Sequence, residues 1–129
     1  MSKFFDEAFG YAVFPNVGKG GLVIGGAHGN GLVFEKGKRI GKASLVQATI
    51  GFQMGGQEFS EIIFFRTKKV LDEFKAGKFA LAAEVSAVAA AEGAAAKAKY
   101  NLDIAVFVMP KGGLMFEASV GGQKFDFEP

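Results

Sequence analysis

Cysteine is absent from this 129-residue chain, and histidine occurs once. The first absence excludes disulfides, thiol nucleophiles and thiolate-bound metals. The second leaves His28 as the single imidazole, too little for a zinc or iron site, so no metal is expected. No apolar run approaches the ~18 residues of a transmembrane helix. Met1-Ser2-Lys3 leads straight into Phe4-Phe5-Asp6-Glu7, which lacks the apolar stretch of a signal peptide. The net charge of +2 is close to neutral, so global basicity does not argue for nucleic acid.

What the chain does have is 15 phenylalanines and 19 glycines. The first supply bulky core material and the second supply none, which suggests large rings packed over thinly clothed backbone. The length suits a single domain, residues 1–129, with a core that needs neither metal nor disulfide. Two short strings recur. Ala12-Val13-Phe14 leads into Lys19-Gly20-Gly21-Leu22, and Ala105-Val106-Phe107 into Lys111-Gly112-Gly113-Leu114. Gly-Gly-Gln-x-Phe occurs at Gly55 to Phe59 and again at Gly121 to Phe125. Glycine inside an apolar strand is costly, so these steps predict kinks, bulges or close backbone approach.

Along the chain, Ser2 caps a short helix on which Phe4, Phe5, Ala8 and Phe9 share a face, ended by Gly10. Tyr11 to Phe14 reads as a strand stopped by Pro15, and Leu22 to Ala27 as apolar chain. His28-Gly29-Asn30-Gly31 carries hairpin-turn chemistry, and Lys36-Gly37-Lys38 makes a second tight turn. From Ser44 an alternation points Val46, Ala48, Ile50, Phe52 and Met54 one way and Gln47, Thr49 and Gln53 the other. Phe59 to Phe65 is a strand. Thr67 caps a helix with a Val70, Leu71, Phe74 stripe, and Gly77 stops it. Ile104 to Met109 is apolar enough to be buried on both faces. Leu114 to Val120 and Lys124 to Phe127 close the chain as strands. Residues 80–98 read both ways: alanine favours a helix, yet Ala83, Val85, Ala87 and Ala89 alternate.

No catalytic signature emerges. Gly18-Lys19-Gly20-Gly21 lacks phosphate-loop spacing and leads into a strand. Gly-Gly-Gln recurs in alternating context and reads as a structural device. His28, between turn residues, reads as exposed. Glu58, Glu61, Asp72 and Glu73 are not the paired buried acids of glycoside chemistry. Ser44, Ser60, Ser86 and Ser119 lack a nucleophile elbow. The charge pattern is more informative. Lys36, Lys38, Arg39 and Lys42 put four cations in seven residues, and Arg66, Lys68 and Lys69 add a second cluster. Each cation near an anionic membrane contributes about 1 kcal/mol, so two clusters on one face would supply several. Alone, such a run is also what a solvated loop tip looks like.

Three strings, Tyr11 to Gly31, Ile50 to Phe65 and Lys111 to Phe125, together resemble the SYLF domain, the family of the Ysc84-type actin-binding proteins and many bacterial homologues. The match runs in order from about Tyr11 to Phe127. The resemblance implies a non-catalytic module without cofactor. Eukaryotic members bind phosphoinositides, fungal members also bind and bundle actin, and bacterial members are described as lipid-binding. The expected partners are therefore an anionic lipid or membrane surface, or a protein of the actin type, and not nucleic acid. Longer members carry a helical segment upstream of the first strand, so residues 1–10 read as a remnant of it, with Phe4, Phe5 and Phe9 also readable as simply a lid on the core. As a remnant, Phe4, Phe5 and Phe9 are candidate apolar membrane contacts beside the two basic clusters. The resemblance also favours extended structure for Ala80 to Ala98. The expected fold is mainly β (α+β), an antiparallel, glycine-kinked sheet closing, or nearly closing, into a barrel with two short flanking helices.

Overall fold

The computed structural model describes residues 2–18, 27–47, 59–77, 86–89, 103–110, 117–119 and 123–129. These form α1 (Ser2–Glu7), β1 (Gly10–Gly18), β2 (Ala27–Glu35), β3 (Lys38–Gln47), β4 (Phe59–Phe65), α2 (Lys68–Lys75), β5 (Ser86–Ala89), β6 (Ile104–Pro110), β7 (Glu117–Ser119) and β8 (Lys124–Glu128). All eight strands join one sheet in the order β7-β5-β6-β4-β1-β2-β3-β8. The pairings are antiparallel except β5 with β6, which is parallel. The mainly β expectation, with two short helices, holds. Of residues 80–98, Ser86–Ala89 is extended; the rest lies outside the described residues, as do Leu22, Ala48 to Met54 and both Lys-Gly-Gly steps.

Period-two alternation sets two faces. The inner one carries Ala12, Phe14, Val33, Leu45, Ile63, Val106 and Phe125, and Val70, Leu71 and Phe74 of α2 pack onto it. The outer one carries Phe64, Ala105 and Phe107, covered by Phe4 of α1. Thr67 caps α2 as its sequence predicts, its hydroxyl accepting from the Val70 N–H at 3.3 Å. Gly77, with φ +73°, ends the helix.

The sheet curls strongly. Phe14 and Phe125 have ring centroids 5.8 Å apart, although β2 and β3 lie between their strands. Three strand spacings in a flat sheet would separate them by about 14 Å. Inward-facing glycines permit the curl: a Cβ on Gly41 would meet the Phe127 ring at 2.8 Å, and one on Gly31 the Phe14 ring at 2.7 Å. A bulge in β1, where its register against β2 shifts between Val13 and Asn16, adds local twist.

The curl does not become a barrel. The sheet ends at β7 on one side and β8 on the other, and no ladder joins them among the described residues. Helix α2 touches β8, β1 and β4 together, so a helix fills the space that a closing strand would have enclosed.

Three local expectations are corrected. Pro15 does not stop β1: it sits within the bulge, where register is lost and no ladder N–H is required of it. His28 to Gly31 is not a turn but part of β2, because these residues pair with β1 on one side and β3 on the other. His28 is accordingly half-buried rather than exposed. In β3, Leu45 points inward and Val46 outward, 49% exposed, the reverse of the alternation predicted from Ser44 onward. Pairing of Leu45 with Gly29 and Ala43 with Gly31 sets that parity, since the glycines leave room on the inner face.

Candidate functional site

The β2–β3 hairpin turns through Lys36 and Gly37, both with positive φ (50° and 83°), as a two-residue type I′ turn requires. The Lys36 N–H donates to the Phe9 carbonyl at 3.0 Å, and its ammonium lies 5.2 Å from the Phe9 ring centroid. The Phe9 N–H in turn donates to the Phe65 carbonyl at 2.9 Å, and the Arg66 N–H to the Asp103 carbonyl at 2.9 Å. Hairpin tip, α1–β1 connection and β4–α2 connection therefore meet at one end of the sheet. The two basic clusters, 30 residues apart in sequence, become neighbours there: Lys36 and Arg66 line one cavity of about 510 Å³ with Phe5, Asp6 and Glu7.

Lys36, Lys38, Arg39, Arg66, Lys68 and Lys69 are all exposed. They are not a uniform positive surface, because acids interleave with them. Arg66 pairs with Asp103 at 3.1 Å and Lys68 with Asp72 at 2.8 Å. The hydrogen bond with Asp72 holds Lys68 above the usual lysine range, with Glu35 adding a smaller push in the same direction. The same bond holds Asp72 below the usual carboxylate range. Arg66 and Lys68 thus have their charge answered within the protein, while Lys36, Lys38, Arg39 and Lys69 form no ion pair among the described residues. Lys42 stands apart, on the outer face, opposite Leu32 on β2 and Glu128 on β8.

The three phenylalanines do not share a face. Phe4 is 2% exposed and packs at 5.0 Å on Phe107 and 5.5 Å on Phe64, which makes it core rather than a surface contact. Phe9 is half-buried and packs toward the inner core. Phe5 is 38% exposed, its ring edge-on to Tyr11 and Phe64, and is the most exposed of the three. The helix is only six residues long and ends at Glu7, so Phe9 leaves it before the helical period can align the set.

A buried pair escapes the sequence reading. Glu61, on the inner face of β4, is fully buried and accepts a hydrogen bond from the Gln123 amide at 2.9 Å. Burial pushes its carboxyl up from 4.5 to about 8, against the smaller opposing effect of the Gln123 hydrogen bond. Its second oxygen, Oε2, has no hydrogen-bond partner among the described residues. At neutral pH the group is therefore a neutral acid. Its signal was present: Phe59, Glu61, Ile63 and Phe65 alternate onto one face, so the acid had to enter the core. Gln123, which makes the bond to Glu61, is the last residue of the second Gly-Gly-Gln, whose Gly121 and Gly122 lie outside the described residues. The first lies outside the described residues. Among the described residues no cluster of acids and histidine could hold a metal ion, and no helix is long and apolar enough to cross a membrane.

Comparison with known proteins meets this geometry. The family described as "Ysc84: Las17-binding protein actin regulator" matches residues 46–128. Over 124 residues the chain is 31% identical to beta cell expansion factor A of Aeromonas veronii, an alignment covering 94% of this chain and 46% of that protein. The chain spans about half the length of that relative.

Proposed function

The chain belongs to the Ysc84 (SYLF) family, and from that premise we propose that it is a non-catalytic module that binds anionic lipid head groups at the hairpin end of its sheet. The observation that carries this reading is the meeting of cations without an ion-pair partner among the described residues and exposed apolar surface: Lys36, Lys38 and Arg39 stand at the end where Phe5 is exposed, and Lys36 and Phe5 line one cavity. Cations draw the domain to an anionic surface and the ring enters its interfacial layer. The local acids keep the attraction modest. Three cations at about 1 kcal/mol each give a contact that is reversible and sensitive to salt.

Replacing Lys36, Lys38 and Arg39 with glutamine tests it. Lys36 lies on the turn and Lys38 and Arg39 at the start of β3, and all three are exposed, so stability should change by within about 0.5 kcal/mol. Co-sedimentation with anionic vesicles at low salt should fall severalfold, and the remaining binding should depend less on salt. Undiminished binding in this folded variant would overturn the reading.

A protein partner of the actin type is the alternative, favoured by the description of the matching family as an actin regulator. It requires the purified domain to pellet with actin filaments; absence from the pellet counts against it.

A further inference from the structure

The outer face of β1, β2, β3 and β8 carries a groove of about 660 Å³, within the ~300–1,000 Å³ typical of small-molecule sites. Strand register builds it from two adjacent cross-strand rows. Asn30, Ser44 and Asp126 form one, and Leu32, Lys42 and Glu128 the next. Pro15, in the β1 bulge, lines its far side. Residues directly opposite on neighbouring strands have Cβ atoms about 5 Å apart, so Lys42 and Glu128 could pair across the ladder. They do not: the ion pairs among the described residues are Arg66–Asp103 and Lys68–Asp72. One cation and two carboxylates thus line the groove, unpaired with one another and beside the apolar Leu32 and Pro15.

We propose that this groove recognises a zwitterionic lipid, its phosphoryl group on Lys42 and its ammonium group between Asp126 and Glu128. A purely anionic head group would be attracted by Lys42 and repelled by both acids, whereas a zwitterion meets complementary charge at each end. The Ser44 hydroxyl and Asn30 amide supply further donors for phosphoryl oxygens, and Leu32 and Pro15 receive the first methylenes of the chain. The proposal rests on the lipid-binding reading above and adds a head-group preference to it. Surface attraction at the hairpin end concentrates the domain on the membrane; the groove then selects a single molecule by its amine.

The test uses the full chain and monomeric probes, so that no membrane surface contributes. Dihexanoyl phosphatidylethanolamine, dihexanoyl phosphatidylglycerol and chain-free phosphoethanolamine are titrated below micelle-forming concentrations and followed by backbone amide shifts. The ethanolamine lipid should bind severalfold more tightly than the glycerol lipid and shift residues 30–32, 42–44 and 126–128. Asp126→Asn should abolish the preference between the two lipids, and Lys42→Gln should weaken both by about tenfold, the scale of one hydrogen bond to a charged group. Equal affinity for the two lipids, or shifts confined to other strands, overturns the proposal. Phosphoethanolamine binding as tightly as the lipid also overturns it, by identifying a free head group as the occupant. These failures leave the surface reading standing, because that reading is judged on vesicles with the hairpin variant, which retains Lys42.

Discussion

Gly31→Ala is expected to destabilise the protein by on the order of 3 kcal/mol, at the upper end of ordinary overpacking. No unusual φ is involved; the cause is close approach. The β1 bulge drives the Val13 carbonyl and the Phe14 ring onto the position a Cβ would take, with the ring at 2.7 Å. Carbonyl and ring belong to a strand held on both sides, by β2 and β4, so neither can yield cheaply. Gly37→Ala is the contrasting case. Its φ of +83° is strained for alanine, but nothing lies within 4 Å of the added methyl. A cost of about 1–2 kcal/mol is expected there. Urea midpoints for both variants decide the matter. Equal losses would mean that backbone conformation, rather than close packing over the inner glycines, explains this strand.

The second large effect is a dependence of stability on pH through Glu61. Its native pKa, near 8, lies above the ordinary 4.5, so the folded protein keeps a proton that the unfolded chain has released. Stability contributed by this group is full below about 4.5, falls as pH rises toward 8, and levels off above it. Each unit of separation corresponds to about 1.4 kcal/mol, so the whole fall amounts to a few kcal/mol. No other charged residue is buried with it among the described residues; its companions are the amide of Gln123 and the apolar inner face. Glu61→Gln retains a hydrogen-bonding amide but cannot ionise. Its urea midpoint should fall less than that of the parent between pH 5 and pH 9, and the variant should be the more stable of the two at pH 9. Parallel profiles would show that Glu61 ionises in the folded state without penalty.

The elements of this fold were legible where local chemistry decides alone. Thr67 and Gly77 bound α2 as their residue types predict, and Lys36-Gly37 makes its turn because both positions need positive φ. Failures occurred where partners decide. Gly29 and Gly31 look like turn residues but serve as gaps under β1, which only the pairing on both sides reveals. The two Ala-Val-Phe strings show the same dependence on partners. Strands β1 and β6 both pair with β4, but Ala12 lies opposite Ile63 while Ala105 lies opposite Phe64. One residue of phase sends Ala12 and Phe14 inward and Ala105 and Phe107 outward, so equal strings occupy opposite faces. The expected barrel failed because glycine kinks predict curvature but do not supply a last pairing, and α2 takes that place. At the site, the cations were legible as two clusters. Their meeting at one end was not, since it depends on the backbone bonds linking Lys36, Phe9 and Phe65; nor were the acids among them.

The most direct test of the proposed function asks whether the hairpin end itself enters the membrane. The chain contains no tryptophan, so Phe5→Trp introduces a single probe without background. The ring at this position is 38% exposed in the free protein. With anionic vesicles its emission should shift to the blue and resist quenching by aqueous iodide; with neutral vesicles both readings should stay at their values in buffer. A probe that remains water-exposed while the protein co-sediments with anionic vesicles would contradict the account, because binding would then occur through another surface.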